Sequence, residues 1–382
     1  MSPIVRWLAA IAVPLGIFGC GTLGQIACIP SADARLFLAD LAANGGPSAL
    51  KSQTPAPSRT SLSYTESGQA YQADLYQSAQ EPRAAIVLVP GAALAGKNDT
   101  RLVAFADALA RLHFTVLVPD IPSLRELRLT ADDTRYIADG VRYLDSRPDL
   151  APGGRLGIGA FSYAVGPAML AALEPDLRDR VRLILSVGGY DDIEHVITFF
   201  TTGAYREGDS APWRHLTPDS YGKWVFVLSN VPSLSDAGDR ATLTALAQRK
   251  LADPQADVSD LESRLQGSEA KALMALLNNQ DPDRVPALLA GLPAPVLAQI
   301  RALDLSDKDL SGLTARVILV HGYDDDFVPY TESEALARAL PPGRARLFLV
   351  NGLYHVNIQK PGVFDVWSLG CAVNALLATR SP

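Results

Sequence analysis

A serine, an aspartate and a histidine each stand just past an apolar run in this chain. Ser162 follows RLGIGAF (155–161), Asp325 follows ARVILVHG (315–322), and His355 follows RARLFLV (344–350). A serine hydroxyl attacks a carbonyl when a base takes its proton. An imidazole serves as that base when a carboxylate holds its tautomer and stabilises the imidazolium. The chemistry open to these three side chains is acyl transfer through a covalent intermediate, provided that the fold brings them to one place.

The runs before them suggest that it does. AAIVLVPG (84–91), TVLVPD (115–120), RLGIGAF (155–161), VRLILSVGG (181–189), ARVILVHG (315–322) and RARLFLV (344–350) are continuous apolar stretches, as expected of strands buried on both faces. Helical spacing separates them over 100–112, 131–146, 163–173, 332–340 and 363–378. Strand and helix in alternation predict a mostly parallel sheet of roughly eight strands with helices on both faces. SLSYTES and AYQADLY alternate and predict an opening hairpin. In such a sheet, residues just past the strand ends share one rim, where ligands bind. Ser162 sits at a sharp strand-to-helix turn, with the small residues Ala160 and Ala164 on either side.

These features resemble the α/β-hydrolase superfamily. The order Ser162, Asp325, His355 matches that family's order of nucleophile, acid and base. Its acid loop often reads Gly-x-x-Asp-x-x-Val-Pro, which Gly322 to Pro329 fit with the acid at Asp325. The chain departs from the family in two places. Ala160 and Ala164 stand where the elbow usually has glycines, and Pro90-Gly91 stands where the family has His-Gly. The resemblance covers about residues 60–190 and 314–380. It implies a serine hydrolase acting on an ester-like acyl bond of a small-molecule substrate, with no cofactor. The backbone N–H groups of Tyr163 and Ala92 would hold the oxyanion, with Ala93 as the fallback. The alternative is a non-catalytic member of the fold serving as a binding or envelope module.

Other residues compete for the same roles. Asp324 and Asp326 flank the proposed acid, and Asp191 and Asp192 follow an earlier strand at a second acid position. His321 is the rival base, although its place beside a buried strand predicts a structural hydrogen bonder. His113, His195 and His215 read as surface or cap residues, and Asp120 as a turn former. No His/Cys/Asp/Glu spacing suggests a metal site, and no glycine-rich phosphate loop is present. The net charge of −7 and pI of about 5.3, without a long basic run, argue against nucleic-acid binding.

Between Asp191 and Leu313 the alternation stops, and mostly helical spacing takes over. Trp224 to Leu228 reads as a strand-like piece, Ser259 with Glu262 as a capping box, and four prolines at 282, 286, 293 and 295 cut the segment into short helices. The expected organisation is a signal or anchor segment over 1–30, a linker over 31–60, a core over 61–190 and 314–382, and a helical cap over 191–313. The run from Trp7 to Phe18, with Arg6 before it and Gly19-Cys20 after it, resembles a bacterial export signal. Cys20 is positioned for lipidation. That reading places the body in the bacterial cell envelope, facing the periplasm or exterior. An uncleaved anchor and a secreted soluble form are the alternatives. Cys371 lies in an apolar run and is expected to be a buried free thiol, with pairing to Cys28 as the alternative in an oxidising compartment.

Overall fold

The computed structural model describes residues 28–208 and 210–381. The apolar runs become strands. In chain order these are β1 Ser58–Glu66, β2 Gln69–Gln77, β3 Ala84–Val89, β4 Phe114–Pro119, β5 Leu156–Phe161, β6 Val181–Val187, β7 Arg316–Gly322 and β8 Ala345–Val350. Every residue of β3 and β4 is buried, as in strands covered on both faces. The strands form one eight-stranded sheet in the order β1-β2-β4-β3-β5-β6-β7-β8. β2 runs antiparallel to both its neighbours, and every other pairing beyond it is parallel. The opening hairpin and the mostly parallel sheet are therefore as the sequence predicts.

Two hydrophobic clusters cover the two faces. One gathers residues of Asp133–Asp145 and Val165–Ala172 against Val87, Ile158 and Val317. The other gathers Thr100–Arg111 and Val363–Leu377 against Ile86, Leu88 and Ile318. Successive residues of a strand point to opposite faces, so the neighbours Ile86 and Val87 serve different clusters.

Residues 31–60 are not the plain linker that their composition suggests. Helix Ala32–Ala42 is capped by the Ser31 side chain, and helix Ala49–Gln53 by that of Ser48. Phe37 and Leu50 from these helices are fully buried in the second cluster. Gly45, Gly46 and Pro47 form the turn between the helices, and Ser31 and Ser48 are the caps.

The chain from β6 to β7 folds as short helices with a cluster of their own, built on Leu243, Leu246, Leu273 and Leu276. Here two readings need correction. Trp224 to Leu228 lies inside helix Tyr221–Asn230, because its aromatic and branched side chains pack at helical spacing into the same cluster. Tertiary burial outweighs their strand propensity. Ser259 is the first residue of a helix whose cap position is Val258, so it forms no capping box. Helices at Val285–Ala290 and Ala294–Leu303 carry proline in their first turns, where its missing N–H costs nothing.

Cys371 is not a free thiol. It is bonded to Cys28 across 343 residues of sequence. Pro30 packs so closely on the C-terminal helix that a Cβ on Gly370 would come within 2.7 Å of it. Asn374 donates to the Ile29 carbonyl at 2.8 Å and accepts from the Ser31 N–H at 2.9 Å. These contacts bring the two sulfurs together, and an apolar setting for Cys371 is compatible with a bond as well as with a thiol. Among the described residues, no single helix is long and apolar enough to cross a membrane. Cys20 and the run before it lie outside the described residues.

Candidate active site

β5 ends at Phe161, and the chain turns at once through Ser162–Ala164 into helix Val165–Ala172. Ser162 makes that turn with φ of +56°, a left-handed conformation uncommon for a side chain other than glycine, asparagine or aspartate. Ala160 and Ala164 are buried on either side of it. The loop after β3 passes close by. A Cβ on Gly91 would stand 3.0 Å from the Ser162 Cβ, so the approach depends on position 91 having no side chain.

This loop also sorts the candidate backbone donors. The Ala93 N–H is already given to the Leu124 carbonyl at 3.2 Å, which removes the fallback. The Ala92 N–H has no protein acceptor among the described residues, and the Ala92 carbonyl is held by the Tyr221 hydroxyl at 3.0 Å. Tyr163 is the second residue of its helical turn, where an N–H has no acceptor within the helix. Its side chain points away into the core, where its hydroxyl donates to the Thr130 carbonyl at 2.9 Å.

Past β7, Asp325 is buried. One carboxylate oxygen accepts the N–H groups of Phe327 and Val328, each at 2.9 Å. The other lies 3.0 Å from His355 Nδ1 and 3.3 Å from His321 Nε2. Burial pushes the Asp325 pKa up, but the charge of His355 and the hydrogen bonds from His321 and His355 outweigh it. The carboxyl sits well below the usual carboxylate range. Asp324 and Asp326 are half-buried in the same loop, and it is Asp325 that faces the imidazole.

His355 follows β8 with φ of +53°. With Nδ1 turned to Asp325, Nε2 is the nitrogen left for other partners. The Phe327 ring stacks on the imidazole at 4.6 Å and 19° between planes. His355 and Ser162 line the same cavity, together with Gly91, Ala92 and Tyr163.

The competing residues fall elsewhere. His321 is fully buried, with Nδ1 2.6 Å from the Ser333 hydroxyl and Nε2 2.9 Å from the Val328 carbonyl, so it is the structural bonder that its position predicts. Asp191 and Asp192 turn to Glu332, which accepts both of their backbone N–H groups. His195 is 3.2 Å from the same Glu332, and His215 is exposed on a short strand. Asp120 pairs with Arg125 at 2.9 Å. Among the described residues, no group of His, Cys, Asp and Glu is arranged to hold a metal ion.

Three residues at the site escape sequence reasoning. Gly188 has φ of +63°, and a Cβ there would come within 3.2 Å of His355 Nδ1 and 3.4 Å of Asp325 Oδ2. The paired glycines at the end of VRLILSVGG are its only signal in the sequence. Phe327 and Tyr221 carry none, because ring stacking and a bond to a carbonyl 129 residues away leave no trace in local spacing.

No family model matches the chain, and no curated protein matches it in sequence. Solved structures resemble it at low identity. A putative hydrolase from Legionella pneumophila is 12% identical, with a TM-score of 0.49 over 84% of this chain and 88% of its own. EstE1, a carboxylesterase cloned from a metagenomic library, is 13% identical, with a TM-score of 0.45 over 94% and 99%. A dienelactone hydrolase from Anabaena variabilis is 14% identical, with a TM-score of 0.42 over 85% and 96%. The chain's own strand order, with one antiparallel strand near the start and a serine at the turn after β5, is that of the α/β-hydrolase fold.

Proposed function

We propose that this protein is a serine hydrolase that cleaves an ester-like acyl bond. The observation that carries the reading is that Ser162, held in a left-handed turn, and His355, paired with buried Asp325, line one cavity. In this reading His355 Nε2 takes the Ser162 proton as the hydroxyl oxygen attacks the acyl carbon. The N–H groups of Tyr163 and Ala92 hold the oxyanion. The protonated imidazole then gives its proton to the leaving alcohol, and the acyl group stays on Ser162. Water, deprotonated by the same nitrogen, releases the acid and restores the serine. Asp325 stays ionised throughout and fixes His355 with Nδ1–H toward itself.

A fluorophosphonate probe tests the reading. The folded protein is expected to gain one adduct, located at Ser162 by peptide mass spectrometry, and to hydrolyse 4-nitrophenyl butanoate. Ser162→Ala removes the adduct and lowers kcat by at least about 1000-fold. A folded, unlabelled and inactive wild-type protein points instead to the non-catalytic binding module. The N-terminal run belongs to the same proposal as a membrane tether through Cys20 in a bacterial envelope. Cys20→Ala is then expected to move the protein out of the membrane fraction.

A further inference from the structure

The cavity at Ser162 is far larger than a short acyl group needs. Its volume is about 2710 Å³, against roughly 300–1,000 Å³ for sites of small ligands. It does not end under the cap. It continues past Phe105, Phe161 and Trp367 into a groove walled by Leu36, Leu38 and Leu41 of helix Ala32–Ala42 on one side and by the C-terminal helix on the other. Its lining is mainly apolar. Of its charged side chains, Asp99 and Arg101 neutralise each other at 2.8 Å, while Arg35 and Lys360 belong to the outer groove.

The rim is apolar as well. Ile29, Ile358 and Val363 line the cavity and are 84%, 44% and 65% exposed, and Phe364 beside them is 85% exposed. Scattered exposed hydrophobics are ordinary, but several around one opening mark a binding surface. The groove is fixed in place, since the Cys28–Cys371 bond and the two Asn374 hydrogen bonds clamp the segment before helix Ala32–Ala42 to the C-terminal helix.

We propose that the substrate carries a long unbranched alkyl chain, and that this chain lies in the groove between helices Ala32–Ala42 and Val363–Leu377. The inference rests on the hydrolase reading and names its substrate class. The occupant follows from continuity. The groove opens directly into the site where the acyl carbon must sit, and its walls offer dispersion and burial rather than hydrogen bonds. Each buried methylene is worth about fourfold in binding.

Two ester series on the full-length protein test this, one with acyl chains from two to sixteen carbons on 4-nitrophenol, the other with alcohol chains of the same lengths on acetate. In one series kcat/KM is expected to rise at least about 100-fold between four and twelve carbons. The series that rises shows whether the chain belongs to the acid or to the alcohol. Leu36→Glu and Ala39→Glu, at half-buried and exposed groove positions, are each expected to cut the twelve-to-four-carbon ratio about tenfold. Series that are flat beyond four carbons, or ratios that both variants leave unchanged, overturn the proposal. A binding readout keeps this separate from the hydrolase reading. Dodecanoate is expected to raise the Tm of Ser162→Ala more than butanoate does, even if no ester is cleaved. Equal shifts count against the groove, whereas absent fluorophosphonate labelling counts against the hydrolase.

Discussion

The Tyr221 hydroxyl donates to the Ala92 carbonyl over 3.0 Å and ties a helix inserted between β6 and β7 to the loop after β3. The same ring meets Phe327 edge-on at 6.0 Å, and Phe327 stacks on His355. One cap residue thus braces both the peptide proposed to hold the oxyanion and the ring that supports the base. Burial raises the Tyr221 pKa to about 12, with Arg101 opposing and Asp219 assisting, so the hydroxyl remains a donor across the working range.

Tyr221→Phe keeps the ring and removes the bond. A net hydrogen bond is worth about 1 kcal/mol, which is about fivefold in rate when the loss falls on the transition state. Steady-state kinetics with a short ester are expected to show kcat lowered about three- to tenfold with KM little changed. An unchanged kcat would mean that Ala92 holds its position without the cap.

Gly188 is the second expected point of sensitivity. Alanine there meets a left-handed backbone, which costs about 1–2 kcal/mol. It also places a methyl against the imidazole and carboxylate that Gly188 now touches. Gly188→Ala is expected to lower kcat/KM about 10- to 100-fold while urea unfolding shifts by no more than about 2 kcal/mol. Gly208, also at positive φ but with nothing near its missing Cβ, provides the control. Gly208→Ala carries the backbone cost without the effect on rate.

The parts of this fold that were legible in the sequence are those written in local periodicity. Continuous apolar runs become buried strands because both their faces are covered, and the rim position of Ser162, Asp325 and His355 follows from their places just past those strands. Composition misled where one residue type serves two ends. Ser31 and Ser48 look like linker residues and act as caps, and Trp224 to Leu228 looks like a strand and packs as a helix. Contacts between distant segments left little signal. The two cysteines allow the Cys28–Cys371 bond without deciding it, and the Tyr221 brace and the groove beside Leu36 depend on which segments meet, which spacing along the chain does not encode.

The disulfide fixes the entry to the described chain. Cys28 lies against the C-terminal helix, and the bond closes a loop spanning most of the protein. Removing such a cross-link typically costs about 2–5 kcal/mol, a loss attributed mainly to the unfolded chain. Reduction, or Cys28→Ser with Cys371→Ser, is expected to lower Tm and leave hydrolysis of a short ester nearly unchanged, because Ser162 and His355 are held by the sheet. A dithiothreitol titration followed by calorimetry checks both. An unchanged Tm would show that the packing of Pro30 and Asn374 suffices.

Asp191 gives the fold a pH dependence of its own. Burial, then the charges of Glu332, Asp192 and Asp304, push its pKa up to about 7, with His195 opposing. One of its carboxyl oxygens is buried without a hydrogen-bond partner among the described residues. A carboxyl whose pKa is raised on folding binds its proton more tightly in the native state. Its effect on stability is therefore neutral below about pH 4, turns unfavourable as pH rises through the window from about 4 to 7, and is fully developed above it. Asp191→Asn keeps the backbone bonds to Glu332 and Leu305 and removes the charge. The variant is expected to match the wild type at pH 4 and to exceed it by about 1–4 kcal/mol at pH 8, with the difference growing across that window. Urea unfolding of both proteins at several pH values measures the difference directly. A constant gap would show that folding leaves the Asp191 carboxyl pKa unchanged.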